Sequence, residues 1–173
     1  MTRLSLFPAL MAESYREVTP QWLKARGFAA VIFDIDNTLV PHGQEATPEV
    51  TAYFSALHEA GIRTFLISNN SEERVKPFAE AVSSGFVCKA DKPSRKRFRT
   101  AMAQMGSSSG DTLAVGDQLF TDVLGANRSG LTSLLVQPVE PHDPPGVAWK
   151  RFFEKILLFF VNKSEKQLKS PEE

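Results

Sequence analysis

Cysteine is nearly absent from this chain of 173 residues, Cys88 being its only one. One thiol excludes an intrachain disulfide and a cysteine-rich zinc site, and it agrees with a reducing compartment. No apolar run approaches the roughly 20 residues that a bilayer-spanning helix needs. Neither sign of charge is in excess: 20 Lys and Arg balance 20 Asp and Glu. Such a chain has no global field to draw in nucleic acid, so no nucleic-acid partner is expected, and any attraction to an anionic surface has to be local. There is also no internal repeat and no low-complexity domain.

What is present describes a folded domain. Hydrophobic residues at 42% and charged residues at 23% are close to globular averages, and the length fits one domain with its own core. The apolar stretch over residues 4–12 resembles a secretory signal, but Pro8 interrupts it and Glu13, Ser14, Tyr15 and Arg16 follow. It is read as a short packing segment, and the protein is expected in the cytoplasm.

Hydrophobic patterning then alternates between two periods. Ala29-Ala-Val-Ile-Phe33 is a continuous apolar run ending at Asp34, the mark of a strand buried on both faces. Thr47-Pro48 supplies an N-cap followed by a first-turn proline, and Val50, Tyr53, Phe54 and Leu57 recur at helical spacing until Gly61. Residues 63–67 predict a second strand, and 72–82 a helix blemished by Pro77. Further on, 86–88, 112–115 and 131–136 predict strands, while 94–105 and 122–128 predict helices. Residues 106–110 read as a connector, and the four prolines of 137–146 as an extended segment. About five strands alternating with helices imply an α/β fold: a three-layer, doubly wound, Rossmann-like parallel sheet that binds ligands beyond the carboxyl ends of its strands.

Polar residues interrupt the pattern where strands should end. Asp34 and Asp36 follow the first, Ser68 the second and Asp117 the fourth, and Lys92 comes from a loop. Each alone has an ordinary explanation, since carboxylates cap helices and Ser-Asn-Asn makes turns. Together, three carboxylates at one sheet edge would repel one another unless a cation neutralised them, and an all-oxygen ligand set suits Mg²⁺. A carboxylate-bound magnesium beside a serine and a lysine is what a phosphoryl group requires.

Asp34-Ile-Asp36-Asn-Thr38, Ser68, Lys92-Pro93 and Gly116-Asp117-Gln-Leu-Phe-Thr-Asp122 resemble, in order, the four motifs of the haloacid-dehalogenase-like (HAD) phosphatases. The resemblance implies a phosphomonoester hydrolase that works through an aspartyl-phosphate. Asp34 would be the nucleophile, and Asp36 the acid that protonates the leaving alkoxide and the base that then activates water. Asp34, Asp117 and the backbone carbonyl of Asp36 would hold Mg²⁺, Asp122 would orient Asp117 or a metal-bound water, and Thr38 would fix the loop. Ser68 and the backbone amide of Asn69 would bind phosphoryl oxygens, with Lys92 offsetting charge on nucleophile and phosphoryl group. Asp36 also separates reaction classes, because the dehalogenases of that superfamily have no need of an acid and base there.

Superfamily members with small substrates usually close the site with a cap domain. Here 31 residues separate Asp36 from Ser68, and 23 separate Ser68 from Lys92, too few for one. An open site is expected to take a large substrate, or one that presents its phosphate on something bulky. The chain looks most like the small capless family IIIA group that includes phosphatidylglycerophosphatases. The resemblance lies in Leu6-Phe-Pro8, the block over 27–41, Ile67-Ser-Asn-Asn70, Ala90-Asp-Lys-Pro93 and the block over 115–128. It implies dephosphorylation of phosphatidylglycerophosphate to phosphatidylglycerol, with an anionic phospholipid head group as partner.

Local charge bears on this expectation. Residues 89–99 hold six basic residues and one acidic, and 150–169 hold six and two. Either stretch suits a solvated face or a contact with an anionic surface. Trp149, Phe152, Phe153, Ile156, Leu157 and Phe160 form one apolar stripe at helical spacing. That stripe suits a helix docked on the sheet or on a second subunit, and also one lying in a membrane interface, which makes 149–161 a candidate peripheral membrane contact. The expected organisation is a capless phosphatase domain over 1–146 and an amphipathic helix with a polar tail over 147–173. A phosphoprotein, a nucleic-acid end or a soluble metabolite stays open as the substrate, as does a binding or assembly protein that keeps the fold without turnover.

Overall fold

The apolar run before Asp34 forms strand β2 (Ala30–Phe33) in the computed structural model, which describes residues 6–140, and all four of its residues are buried. The expected C-terminal element over 147–173, its stripe over 149–161 and the basic run over 150–169 lie outside the described residues. Strands β1 (Leu10–Ala12), β3 (Arg63–Ile67), β4 (Gly85–Val87), β5 (Thr112–Gly116) and β6 (Thr132–Val136) join β2 in one sheet. Its order is β1-β6-β5-β2-β3-β4, and every pairing is parallel. Six strands stand where about five were expected, because the N-terminal packing segment pairs with β6, Leu10 opposite Leu134 and Ala12 opposite Val136. Three residues are too short a run for period-two patterning to announce.

Successive side chains of a strand point to opposite faces. Val31 and Phe33 of β2, Leu66 of β3, and Leu113 and Val115 of β5 enter one core. A short helix that the patterning did not announce, α1 (Pro20–Ala25), adds Trp22 and Leu23 to it. Helices α2 (Pro48–Glu59) and α3 (Glu72–Ala81) cover the same core with Val50, Phe54 and Leu57, and with Val75 and Phe78. Ile32, Phe65, Ile67 and Ala114 point the other way, against Phe98 and Ala101 of α4 (Arg95–Met105) and Ala126 of α5 (Leu124–Arg128). Each buried phenylalanine contributes roughly 1.5–3 kcal/mol, so both faces of the sheet are held firmly and its polar ends are left for other work.

Helix α2 begins as its sequence predicts, with Thr47 Oγ1 accepting from Val50 N at 3.2 Å. The helix expected over 122–128 is divided: a wide π-type turn, Leu119–Val123, precedes α5. Gly116 makes room for that turn, since a Cβ there would lie 2.6 Å from Asp122 Oδ2. The chain runs outward from β2 to β3 and β4, then crosses back to β5 and β6. Strand order therefore reverses between β2 and β5, and open α/β sheets bind ligands in the crevice at such a point. Only a loop, α2 and β3 lie between Asp36 and Ser68, and α3 and β4 between Ser68 and Lys92, so no cap is inserted in either interval.

Candidate active site

β2 and β5 are neighbours, so the residues that follow them meet. Asp34 N donates to Val115 O at 3.0 Å, while Ile35 O turns the chain back by accepting from Thr38 N at 3.2 Å and Leu39 N at 2.9 Å. Within this turn Asn37 has φ 65, a left-handed conformation that asparagine tolerates better than most residues. The turn sets Thr38 Oγ1 3.3 Å from Asp34 Oδ2 and 3.2 Å from Asp117 Oδ1. A hydroxyl has one proton to donate, so Thr38 ties the two carboxylates together by serving one at a time.

Asp34, Asp117 and Asp122 are buried and offer oxygens within 4.8 Å of one another. Lys92 Nζ donates to Asp34 Oδ1 at 2.6 Å and to Asp122 Oδ1 at 2.5 Å, and its side chain is only 4% exposed. Gln118 N donates to Asp122 Oδ2 at 3.1 Å. One ammonium thus pairs with two of the three clustered carboxyl groups, and buried negative charge in excess is costly. The Asp34 carboxyl is pushed up to about 7, by burial first, against the pull of the Lys92 charge and with the help of Asp122 and Asp117. Burial also works against the charge of Lys92, but Asp122 and Asp34 outweigh it and hold the lysine above its ordinary pKa. An all-oxygen donor set with surplus negative charge, at a ligand crevice, fits a hard divalent cation.

Asp36 lies two residues on, and its carboxylate is engaged elsewhere. Oδ1 accepts from Gly43 N at 2.8 Å and from Arg74 Nη2 at 2.9 Å, and Oδ2 accepts from Asn70 Nδ2 at 2.6 Å. Arg74 also donates to Gln44 O at 2.6 Å, and its guanidinium lies over the Phe78 ring at 5.5 Å. Any contact of Asp36 with a metal would therefore fall to its backbone carbonyl, as the sequence reading has it. The third carboxylate of the cluster is that of Asp122, which the sequence reading places in a supporting role.

Ser68 is buried at the end of β3, where its Oγ accepts from Asn70 N at 3.1 Å. Asn69 Oδ1 accepts from Lys92 N at 2.9 Å, which ties the lysine's loop to the end of β3. Asp34, Thr38, Lys92, Asp117 and Asp122 form one connected cluster, while Asp36 belongs to a second one with Asn70 and Arg74. Sequence reasoning missed Asn70, Arg74 and Asn37. Asn70 was visible only as part of a turn signal. Arg74 sits in the first turn of α3, where the helix dipole favours acids, so a cation there was the one available hint. Asn37 holds the chain beyond β6: its Oδ1 accepts from Glu140 N at 2.8 Å, and its Nδ2 donates to Glu140 O at 3.2 Å.

Comparison with known proteins bears on this arrangement. A family model described as haloacid dehalogenase-like hydrolase matches residues 42–130, which hold Ser68, Lys92, Asp117 and Asp122. The chain is 38% identical over 159 residues to the probable phosphatase YqeG of Bacillus subtilis, a match covering 91% of this chain and 92% of that protein. It is 30% identical over 162 residues to the chloroplastic phosphatidylglycerophosphate phosphatase 1 of Chlamydomonas reinhardtii, covering 87% of this chain but 60% of that protein. Among solved structures, the cobalt-bound deoxy-D-mannose-octulosonate 8-phosphate phosphatase of Haemophilus influenzae is similar with a TM-score of 0.56, at 16% identity over 83% of this chain and 94% of that one. The last likeness concerns the fold alone.

Proposed function

The chain belongs to the haloacid dehalogenase-like hydrolases and is a phosphatase, and from that premise we propose that it removes the terminal phosphate of phosphatidylglycerophosphate through an aspartyl-phosphate on Asp34. The observation that carries the chemistry is Lys92 Nζ shared between Asp34 and Asp122 beside Asp117. In this reading Lys92 offsets charge on the nucleophile and on the incoming phosphoryl group. Asp34 attacks phosphorus as the bond to the leaving oxygen breaks, and Asp36 gives that oxygen its proton. Asp36 then takes a proton from water, whose oxygen attacks the aspartyl-phosphate, releasing inorganic phosphate and restoring Asp34. Ser68 Oγ and the amide of Asn69 bind phosphoryl oxygens. Asp34, Asp117 and the carbonyl of Asp36 would hold Mg²⁺, with Asp122 supporting, and the ion would supply positive charge to the phosphoryl oxygens.

Two observations support the lipid substrate. The intervals that would hold a cap are filled by ordinary elements of the fold, which suits a bulky substrate. The Chlamydomonas relative bears the name of that activity. The basic residues of 150–169 and the apolar stripe of 149–161 add a sequence argument for contact with anionic lipid. Phosphate release from phosphatidylglycerophosphate in mixed micelles, against sugar phosphates and nucleotides, tests the proposal. The lipid is expected to give the highest kcat/KM, and a clear preference for a soluble phosphate overturns the reading.

A further inference from the structure

The active site uses only Lys92 of the basic run over 89–99, and the rest of that run is gathered elsewhere. Arg95, Lys96 and Arg99 of α4 meet Arg128 at the end of α5 around a surface cavity of about 650 Å³, which Asp91 and Pro93 also line. Asp91 and Pro93 flank Lys92 in the sequence, so the cavity adjoins the loop whose lysine reaches Asp34. Among the described residues none of the four cations forms an ion pair, and Arg95 Nη1 lies 3.5 Å from the carbonyl of Arg128.

This crowding of like charge is built into the packing. A Cβ at Gly125 would lie 2.5 Å from the Phe98 ring, so glycine is what lets α5 close on α4 and bring Arg128 to the other cations. Helix α4 also opens on Arg95, Lys96 and Arg97 with no acid in its first turn, although the positive end of the helix dipole favours acids. Cations collected in a concavity without ion-pair partners are what an oxyanion offsets, and guanidinium groups pair well with the two free oxygens of a phosphodiester.

We propose that this cavity receives the second phosphate of the substrate, the phosphodiester of a glycerophospholipid whose terminal phosphomonoester is at Asp34. The proposal rests on the phospholipid reading above. A three-carbon glycerol bridges the two phosphates, and Lys92, whose neighbours in the sequence line the cavity, reaches Asp34.

The test uses Lys96→Gln combined with Arg99→Gln, two solvent-exposed residues, with thermal unfolding to confirm that the variant folds. Three substrates separate the sources of the anion: an aryl phosphate, deacylated glycerophosphoglycerophosphate free in solution, and the full lipid in mixed micelles. The ratio of kcat/KM for the deacylated ester to that for the aryl phosphate is expected to fall about tenfold, mainly through KM. The lipid should follow the deacylated ester. Equal losses on all three substrates, or none, overturn the proposal. A loss confined to micellar lipid also overturns it and assigns these cations to the bilayer surface. If the wild type turns over neither glycerol ester, the phospholipid reading fails, and a binding arm still judges the cavity. Glycerophosphoglycerol, a diester without a monoester, should bind the wild type about tenfold more tightly than the variant in calorimetry, and equal affinities overturn the site.

Discussion

The crevice at the ends of β2 and β5 and the shelf at the start of α3 each hold a buried carboxylate from the same loop, and they balance charge differently. In the crevice, Asp34 shares one ammonium with Asp122, and Asp117 stands close by. On the shelf, Asp36 has the Arg74 guanidinium, a neutral amide from Asn70 and the backbone N–H of Gly43. The crevice is short of positive charge and therefore receptive to a cation and to an electrophilic phosphorus. The shelf is charge-matched, and its donors fix the direction in which Asp36 points. Two acids separated by one residue thus stand in different surroundings, which suits the roles of nucleophile and proton carrier proposed for them.

Neutralising each carboxyl in turn puts the greatest strain on this contrast. Asp34→Asn removes the proposed attacking group, and aryl-phosphate turnover is expected to fall by about 10⁴-fold or more. In the proposed mechanism Asp36→Asn leaves the nucleophile and removes proton transfer, so kcat/KM on an alkyl phosphate should fall by about 10²–10⁴-fold. A nitrophenyl ester, whose leaving group needs no proton, should be spared part of that loss. Values of kcat/KM with both esters decide the matter: equal impairment on each would detach Asp36 from the leaving group.

Metal removal should act on the crevice alone. After exhaustive treatment with a chelator, turnover is expected to drop by at least about 10²-fold and to return with added Mg²⁺. Arg74→Gln tests the shelf, where a misdirected Asp36 should lower kcat about tenfold with little change in KM. Arg74→Lys should recover part of that loss, because it keeps the charge but not the planar guanidinium whose Nη2 donates to both Asp36 Oδ1 and Gln44 O.

How much of each region was legible in the sequence follows from how it is built. The crevice lies where apolar strands stop, so Asp34, Ser68 and Asp117 announce themselves by ending a hydrophobic pattern. The shelf depends on Arg74 reaching across 38 residues to Asp36 from a helix surface, where a cation reads as ordinary solvated charge. Asp122 enters the carboxylate cluster through the π-type turn Leu119–Val123, a widening that helical periodicity does not foresee. Strand β1 and helix α1 escaped because three and six residues are too few to establish a period. The second core, formed by Ile32, Phe65, Phe98 and Ala126, was implicit in the doubly wound fold, but the closeness of α4 to α5 at Gly125 was not.

The smallest expected effects are on stability, and they have opposite signs. Burial raises Asp34 from 3.8 to about 7, against the pull of Lys92 and with further help from Asp122 and Asp117. The metal-free folded protein therefore prefers the neutral carboxyl more than the unfolded chain does, and it loses stability as pH rises from about 4 through about 7. Asp34→Asn bears no such charge. Its metal-free unfolding midpoint should exceed that of the wild type by a few degrees at pH 7, and the difference should vanish toward pH 4. Asp36→Asn does the reverse, for it leaves the Arg74 guanidinium, 18% exposed, without its anion. A loss of about 1–2 kcal/mol would lower the midpoint by roughly 2–8 °C. Calorimetric scans in chelator across this pH range check both signs. Should Asp34→Asn melt below the wild type at pH 7, the Lys92 ammonium outweighs the neighbouring acids at Asp34, and the crevice has no surplus of negative charge to offer a cation.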